Sequence, residues 1–358
     1  MFSFKKLRTK IMVLIGAVVL ICNVLSITLV TVKTVEMNKE NAFRELDILS
    51  DEYAYYVHGE LDTAMNIAKT IAHTFEAMKG QNYVDRNAMS SVLKDILKDN
   101  ENFLGVWTCW EPNALDGNDI DFVNKPGHDK TGRFIVSWQR DGNGKIKIDN
   151  LKNYTVKGKG DYYLVPKATK NESMINPYKY EINGEEILVT SFVVPIMYNG
   201  KFVGVVGVDL ALDELQTVIS EIKPYDVGYA DLIANNGTFV STKNKESLGE
   251  LVRNPEETKE MIDYINKGEG STLERIDTAT GEAVYTNSKP ITIGKTTTPW
   301  LFSINVPMNK ILEGVRHITK FTILMSIMTL GVTLFAIWVM VNGIVRPINK
   351  TIDVLKDI

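Results

Sequence analysis

Two cysteines in 358 residues leave no room for a disulfide framework. Cys22 falls inside an apolar run and Cys109 stands alone outside it, so the polar part of the chain must rest on its core. Histidine is nearly as scarce. His58, His73, His128 and His317 are scattered and show no metal-ligand spacing. Nucleophile elbows and phosphate-binding loops are missing too, so no motif calls for an enzyme, and neither metal nor cofactor is expected. Asp116-Gly-Asn118-Asp119-Ile-Asp121 looks like a calcium loop at a glance. It lacks the glycine and the distal glutamate at the right offsets, and reads as a polar loop. A formal net charge of −4 speaks against a nucleic-acid partner.

Charge is missing altogether from two stretches. Residues 11–32 and 321–345 contain no Asp, Glu, Lys, Arg or His, and each exceeds the roughly 20 residues that cross a hydrocarbon core. Within lipid the backbone must satisfy its own hydrogen bonds, so both runs are expected to be helices and the partner they imply is a membrane. Lys5, Lys6, Arg8 and Lys10 precede the first run, and Arg346, Lys350 and Lys356 follow the second. The positive-inside tendency therefore sets both termini, residues 1–10 and 346–358, in the cytoplasm of a two-pass cell-membrane protein. Residues 33–320 lie outside. A cleaved signal peptide is the rival for the first run, but the run is long for an h-region and no small-x-small site follows.

Proline is absent from residues 34–80, and Leu46, Leu49, Tyr53, Tyr56, Leu61, Ala64, Ala68, Ile71, Phe75 and Met78 recur at spacings of mostly three and four. That spacing predicts one long helix with a single apolar stripe, closed by Gly80. The stripe serves two ends: a dimer seam in its first turns and the domain's own core further out. Beyond it, residues 103–110, 134–140, 187–197 and 202–210 are rich in β-formers. Asn199-Gly200 signals a tight hairpin, and Asp141-Gly142-Asn143-Gly144 another turn. Residues 81–222 thus form one sheet module. A smaller one, 223–307, repeats the plan with strands at 229–233, 238–242, 271–277, 283–293 and 300–306 and a helix at 255–267 closed by Gly268. The fold class is α/β (α+β): a long helix and two antiparallel-sheet modules between two transmembrane helices.

Trp107, Trp110, Trp138, Tyr162, Tyr163 and Tyr178 gather in the larger module, interspersed with Glu111, Asp161 and Asp209. Aromatic walls with a few carboxylates suit a small cationic or flat nitrogenous ligand, since carboxylates accept N–H donors and ring faces attract positive charge. Some of these aromatics can equally be core. Trp138 shares a face with Val136 and Phe134 by alternation, which leaves its role open. Asp209 ends an apolar run, where a carboxylate needs a cation or donors nearby. Arg133 has the planar fork that clamps an anion.

Several segments carry a family resemblance. Trp107-Thr-Cys-Trp110-Glu111-Pro, Thr131-Gly-Arg133-Phe-Ile-Val-Ser-Trp138-Gln-Arg140, Gly160-Asp161-Tyr162-Tyr163, Phe202-Val-Gly-Val-Val-Gly-Val-Asp209-Leu and Asp231-Leu-Ile-Ala-Asn-Asn-Gly are similar to the double Cache (dCache) sensor region of bacterial methyl-accepting chemotaxis receptors. Ile344-Val-Arg346-Pro347-Ile348 resembles the start of a HAMP relay helix, which stops at Ile358 as in a truncated receptor. The resemblance implies two PAS-like modules and a homodimer that binds a small solute in its membrane-distal module. It would pass a helix shift through the second span to the chemotaxis kinase machinery. It also implies that Asp209 holds a ligand's amino group. Amino-acid sensors of this family place their arginine two residues before a Trp-Tyr pair. Here Arg133 lies five residues before Trp138, which Gln139 follows, and the reading leans toward amines or purine-like bases. A sensor kinase, a cyclic-dinucleotide enzyme or a stand-alone anchored binding protein are the alternatives.

Overall fold

The computed structural model describes residues 7–182, 185–252, 262, 267, 270–277 and 281–356. The helix expected at 255–267, with Gly268, falls almost wholly outside them. The chain divides into two compact units. One is formed by residues 1–45 and 308–358, the other by Leu46–Pro307.

In the first unit the two apolar segments are helical and meet, Gly16 packing against Leu334. Helix α1, Leu7–Gly80, contains the first of them, and the C-terminal helix, Glu313–Lys356, the second. Both are long and apolar enough to cross a membrane. Leu14, Leu29, Val332 and Phe335 are each more than half exposed. An apolar surface of that kind is stable in lipid, not in water.

Within the second unit α1 buries Val57, Leu61, Ala64, Ala68, Ile71, Ala72 and Phe75, the three- and four-residue spacing that one packed face requires. Tyr56, expected in that stripe, is exposed, and Val57 takes its place. Ile48 and Tyr55 are also exposed. Tyr53 stacks on Phe302 at 6.2 Å, whereas Lys79 reaches the Leu115 carbonyl and the Tyr198 ring, so one helix serves both sheets.

The first sheet contains β1 (Phe103–Trp110), β2 (Val136–Arg140), β3 (Ile146–Asn150), β4 (Ser173–Met174), β5 (Tyr178–Ile182), β6 (Glu185–Tyr198) and β7 (Lys201–Ala211). Its order is β3-β2-β1-β7-β6-β4, β5 pairing on β6, and every pair is antiparallel. Asn199 and Gly200 join β6 to β7 with positive φ at both positions, as a primed turn demands. Helix α2, Arg86–Asp99, covers one face. Its first amides are capped by the Asp85 carboxylate, and Met89, Leu93 and Leu97 point inward at every fourth residue. Helix α3, Asp161–Thr169, lies on the opposite face. After α4 (Asp213–Ser220) comes the second sheet, β10-β11-β12-β8-β9, built from β8 (Tyr229–Ile233), β9 (Phe239–Ser241), β10 (Ser271–Ile276), β11 (Ala283–Ile291) and β12 (Trp300–Pro307). Trp300, Phe302, Ile304 and Val306 alternate along β12 and are buried.

The acidic loop after β1 is tied down by α2. Arg86 donates to both oxygens of Asp116 at 2.7 and 2.9 Å and to Asp119 at 2.7 Å, over the ring of Phe122. Asp119 also accepts the Asn113 amide at 2.6 Å. These carboxylates are spoken for by an internal cation.

Candidate functional site

Register decides which aromatic residues meet. Trp107 pairs with Gly207 across β1 and β7, and a side chain at Gly207 would collide with the Trp107 indole. The glycine leaves the space in which that ring lies flat on the strand. Gly105 does the same for its partner Asp209, whose Oδ2 sits 2.7 Å from where a Cβ would be. Trp107 and Asp209 therefore share one face, and the indole Nε1 donates to Asp209 Oδ1 at 2.9 Å.

Ser191 is the cross-strand partner of Asp209 on β6. Its hydroxyl donates to the same Oδ1 at 2.7 Å. Tyr178 lies 3.1 Å from Ser191 Oγ; the single serine hydrogen is already used, so the phenol is the donor. Trp107 and Ser191 together saturate Oδ1, with Tyr178 bonded behind Ser191. No donor among the described residues reaches Oδ2. Burial pushes the Asp209 carboxyl up to about 6, against the lowering effect of Ser191 and Trp107. The same burial raises the Tyr178 and Tyr162 phenols.

Above this floor opens a cavity of about 800 Å³, walled by Trp107, Tyr162, Tyr178, Tyr180, Met174, Ile175, Asp149, Asp161, Ser191 and Asp209, among others. Its size falls in the range of small-molecule sites. Tyr162 meets Trp107 edge to face at 5.0 Å, and its hydroxyl donates to the Lys152 carbonyl at 2.6 Å. Asp161 opens α3 and accepts the Gly158 amide at 2.8 Å. Asp149 pairs with Lys152 at 2.9 Å on the exposed rim. Asp209 lies deepest of the three, and no cation among the described residues pairs with it.

Other residues expected at the site stand elsewhere. Trp138 pairs with Val106, one residue out of phase with Trp107, and so turns to the α2 face. There its Nε1 donates to Ser90 at 3.0 Å and Lys94 lies over its ring at 5.0 Å. Trp110 is completely buried and, three residues from Trp107, also faces away. Arg133 does not line the cavity. Its guanidinium is buried between the Tyr154 and Tyr163 rings at 4.7 and 4.9 Å and donates to the Trp110 carbonyl and, at 2.5 Å, to the Tyr163 hydroxyl. Tyr163 packs with Trp107, Cys109 and Val205 beneath α3, and Glu111 bonds Lys167 at 2.8 Å beside Arg133. This group holds α3 against the sheet. Burial pushes the Cys109 thiol within it up to about 12.

Tyr180 and Ser191 escaped the sequence reading. Tyr178-Lys-Tyr180 alternates with a strand's period, and Thr190-Ser191 interrupts an apolar run. Both were usable signals for polar groups on a buried face.

Two antiparallel modules, the first with a cavity on one sheet face, and two membrane-length helices define a sensory domain. The chain belongs to the Cache domain family, dCache_1, whose profile matches residues 22–315. It is similar to the methyl-accepting chemotaxis protein TlpQ of Pseudomonas aeruginosa, with 24% identity over 303 residues. The match takes in 76% of this chain but 41% of that relative's length. Among solved structures, the extracellular domain of mmHK1S-Z3, a protein assigned to the histidine kinases, is 32% identical with a TM-score of 0.68, covering 77% of this chain and 98% of that one. The periplasmic sensory domain of Campylobacter jejuni Tlp1 shares the fold at 17% identity and a TM-score of 0.59, over 77% of this chain and 98% of its own.

Proposed function

We propose that this chain is the sensory part of a two-pass transmembrane chemoreceptor, and that its ligand is a small amine or purine-like base. The observation that carries the ligand class is the Asp209 carboxylate. Oδ1 is saturated by Trp107 and Ser191, whereas Oδ2 is without a donor among the described residues and lies at a cavity walled by aromatic rings. A protonated amine supplies the missing donor and the counter-charge together, and ring faces favour the same cation. An anionic ligand would meet a carboxylate where it needs a donor.

In this reading residues 81–222 are the membrane-distal module, 223–307 the proximal one, and both termini are cytoplasmic. The first turns of α1 after the membrane form a homodimer seam. Ligand binding shifts the population of two conformations, and the change passes through the second span to a HAMP segment begun at 346–358, then to the chemotaxis kinase. The likeness to TlpQ supports that output. A second reading, the sensor region of a histidine kinase, is favoured by the higher identity to mmHK1S-Z3.

The test is a thermal-shift screen of the detergent-solubilised chain with amines, purines, amino acids and organic acids. A ligand bound only by the folded state raises the melting temperature. Stabilisation by amines or purines that disappears in Asp209→Asn is the expected result. Stabilisation by organic acids alone, or by an amine equally well in Asp209→Asn, overturns the assignment.

A further inference from the structure

The cavity belongs to the first sheet, yet its wall includes Thr298, from the loop between β11 and β12 of the second. Two polar contacts among the described residues bear on how the second sheet is held at this place. Lys179, on the cavity wall, pairs with Glu250 at 3.0 Å, both partners being about half exposed. A pair so open to water contributes little. Glu172 makes the other contact and is far better enclosed, with 12% of its side chain exposed. It immediately precedes β4, whose Met174, with Ile175 beyond it, lines the cavity. Its Oε2 accepts the Lys295 backbone amide at 2.8 Å and pairs with Lys69 of α1 at 3.0 Å. Gly294 passes so close that a side chain there would strike Glu172. Ile293 and Thr296, on either side of that contact, are buried, and Thr296 closes the turn on the Ile293 carbonyl at 2.7 Å.

We infer that the ligand cavity is shared between the modules: the β11–β12 loop contributes Thr298 as a wall residue, and Glu172 is the positioning residue that seats this loop. This rests on the cavity being the ligand site. Its consequence is that a molecule touching both Asp209 and Thr298 bears on the second sheet directly. The ion pair with Lys69 ties the same carboxylate to α1, so three elements meet on one side chain that does not itself line the cavity.

The test needs no ligand. Thr298→Cys is made in a Trp300→Phe background, which removes the indole two residues away, and is labelled with monobromobimane, whose fluorescence is quenched by a tryptophan at close range. Cys109 is buried, and Cys22, in the apolar segment of α1, is replaced by serine. The expected result is quenching that is relieved by Trp107→Phe and also by Glu172→Ala. Glu172→Gln, which retains an acceptor for the Lys295 amide but loses the charge opposite Lys69, should restore part of it. If Glu172→Ala no longer melts cooperatively, Glu172→Gln carries the comparison against the parent. Quenching indifferent to Trp107→Phe, or unchanged in both Glu172 variants, overturns the inference. The ligand reading fails separately, through binding that survives Asp209→Asn.

Discussion

Asp209→Asn should stabilise the ligand-free protein at neutral pH while removing its binding. The asparagine oxygen can accept from Trp107 and Ser191 as Oδ1 does now, and the new amide group replaces Oδ2 at the cavity, where water can satisfy it. What changes is the charge. Burial raises the carboxyl from 3.8 to about 6, a gap of about two units, so holding it ionised costs up to about 3 kcal/mol. The sign follows from the raised value. The folded state binds the proton more tightly than the unfolded state, so the wild type is free of this cost below pH 3.8. It bears the cost increasingly as the pH rises through about 6. At about 2 to 4 °C per kcal/mol for a domain of this size, the variant should melt several degrees higher at pH 7.5. The difference should close near pH 4. Asp231, buried in the second sheet and likewise raised to about 6, is present in both proteins and cancels in the comparison. Melting curves across pH 4 to 8 in detergent measure the difference. A variant less stable at pH 7.5, or a difference independent of pH, would refute the reasoning.

Ligand affinity should itself fall about tenfold per pH unit once the pH drops below about 6, because a cation needs the ionised carboxylate; calorimetry across that range checks it. Gly207→Ala drives a methyl group into the Trp107 ring and should cost about 1 to 3 kcal/mol in urea unfolding, with a changed near-ultraviolet spectrum. Arg86→Met strands Asp116 and Asp119 against an apolar side chain and should cost about 3 to 5 kcal/mol by the same assay. Trp107→Phe should weaken ligand binding, whereas Trp138→Phe, on the α2 face, should leave it unchanged in the thermal-shift screen.

Much of the fold was legible because its signals are local. Runs of β-forming residues beside turn signals located β1 and β8 at their observed residues, and Asn199-Gly200 located the hairpin because few other dipeptides tolerate two positive φ angles. The short elements escaped. Strands β3 to β5 and helices α2 and α3 are brief or polar, and their stability comes from the sheet they pack on. The stripe on α1 slipped by one residue at Tyr56 for a related reason: periodicity indicates that a face exists, while the partner determines where it is centred.

The site divided along the same line. The sequence indicated an aromatic module interspersed with Glu111, Asp161 and Asp209, and the apolar run before Asp209 indicated that this carboxylate would be buried. Sorting Trp107 from Trp138 required the register between β1 and β2, since a shift of one residue turns a side chain to the other face of the sheet. Arg133 carries a charge suited to a ligand, but Tyr154, Tyr163 and the Trp110 carbonyl surround it, and only long-range packing brings those groups together. Thr298 is the extreme case, a loop residue distant in sequence from every other part of the cavity wall. By itself the sequence determined two membrane-length helices, a two-module α+β domain and one carboxylate in need of a partner, because hydropathy, alternation and desolvation act residue by residue. Tertiary structure alone decided which side chains share the cavity, because that depends on strand register and on contacts between modules, which no local pattern encodes.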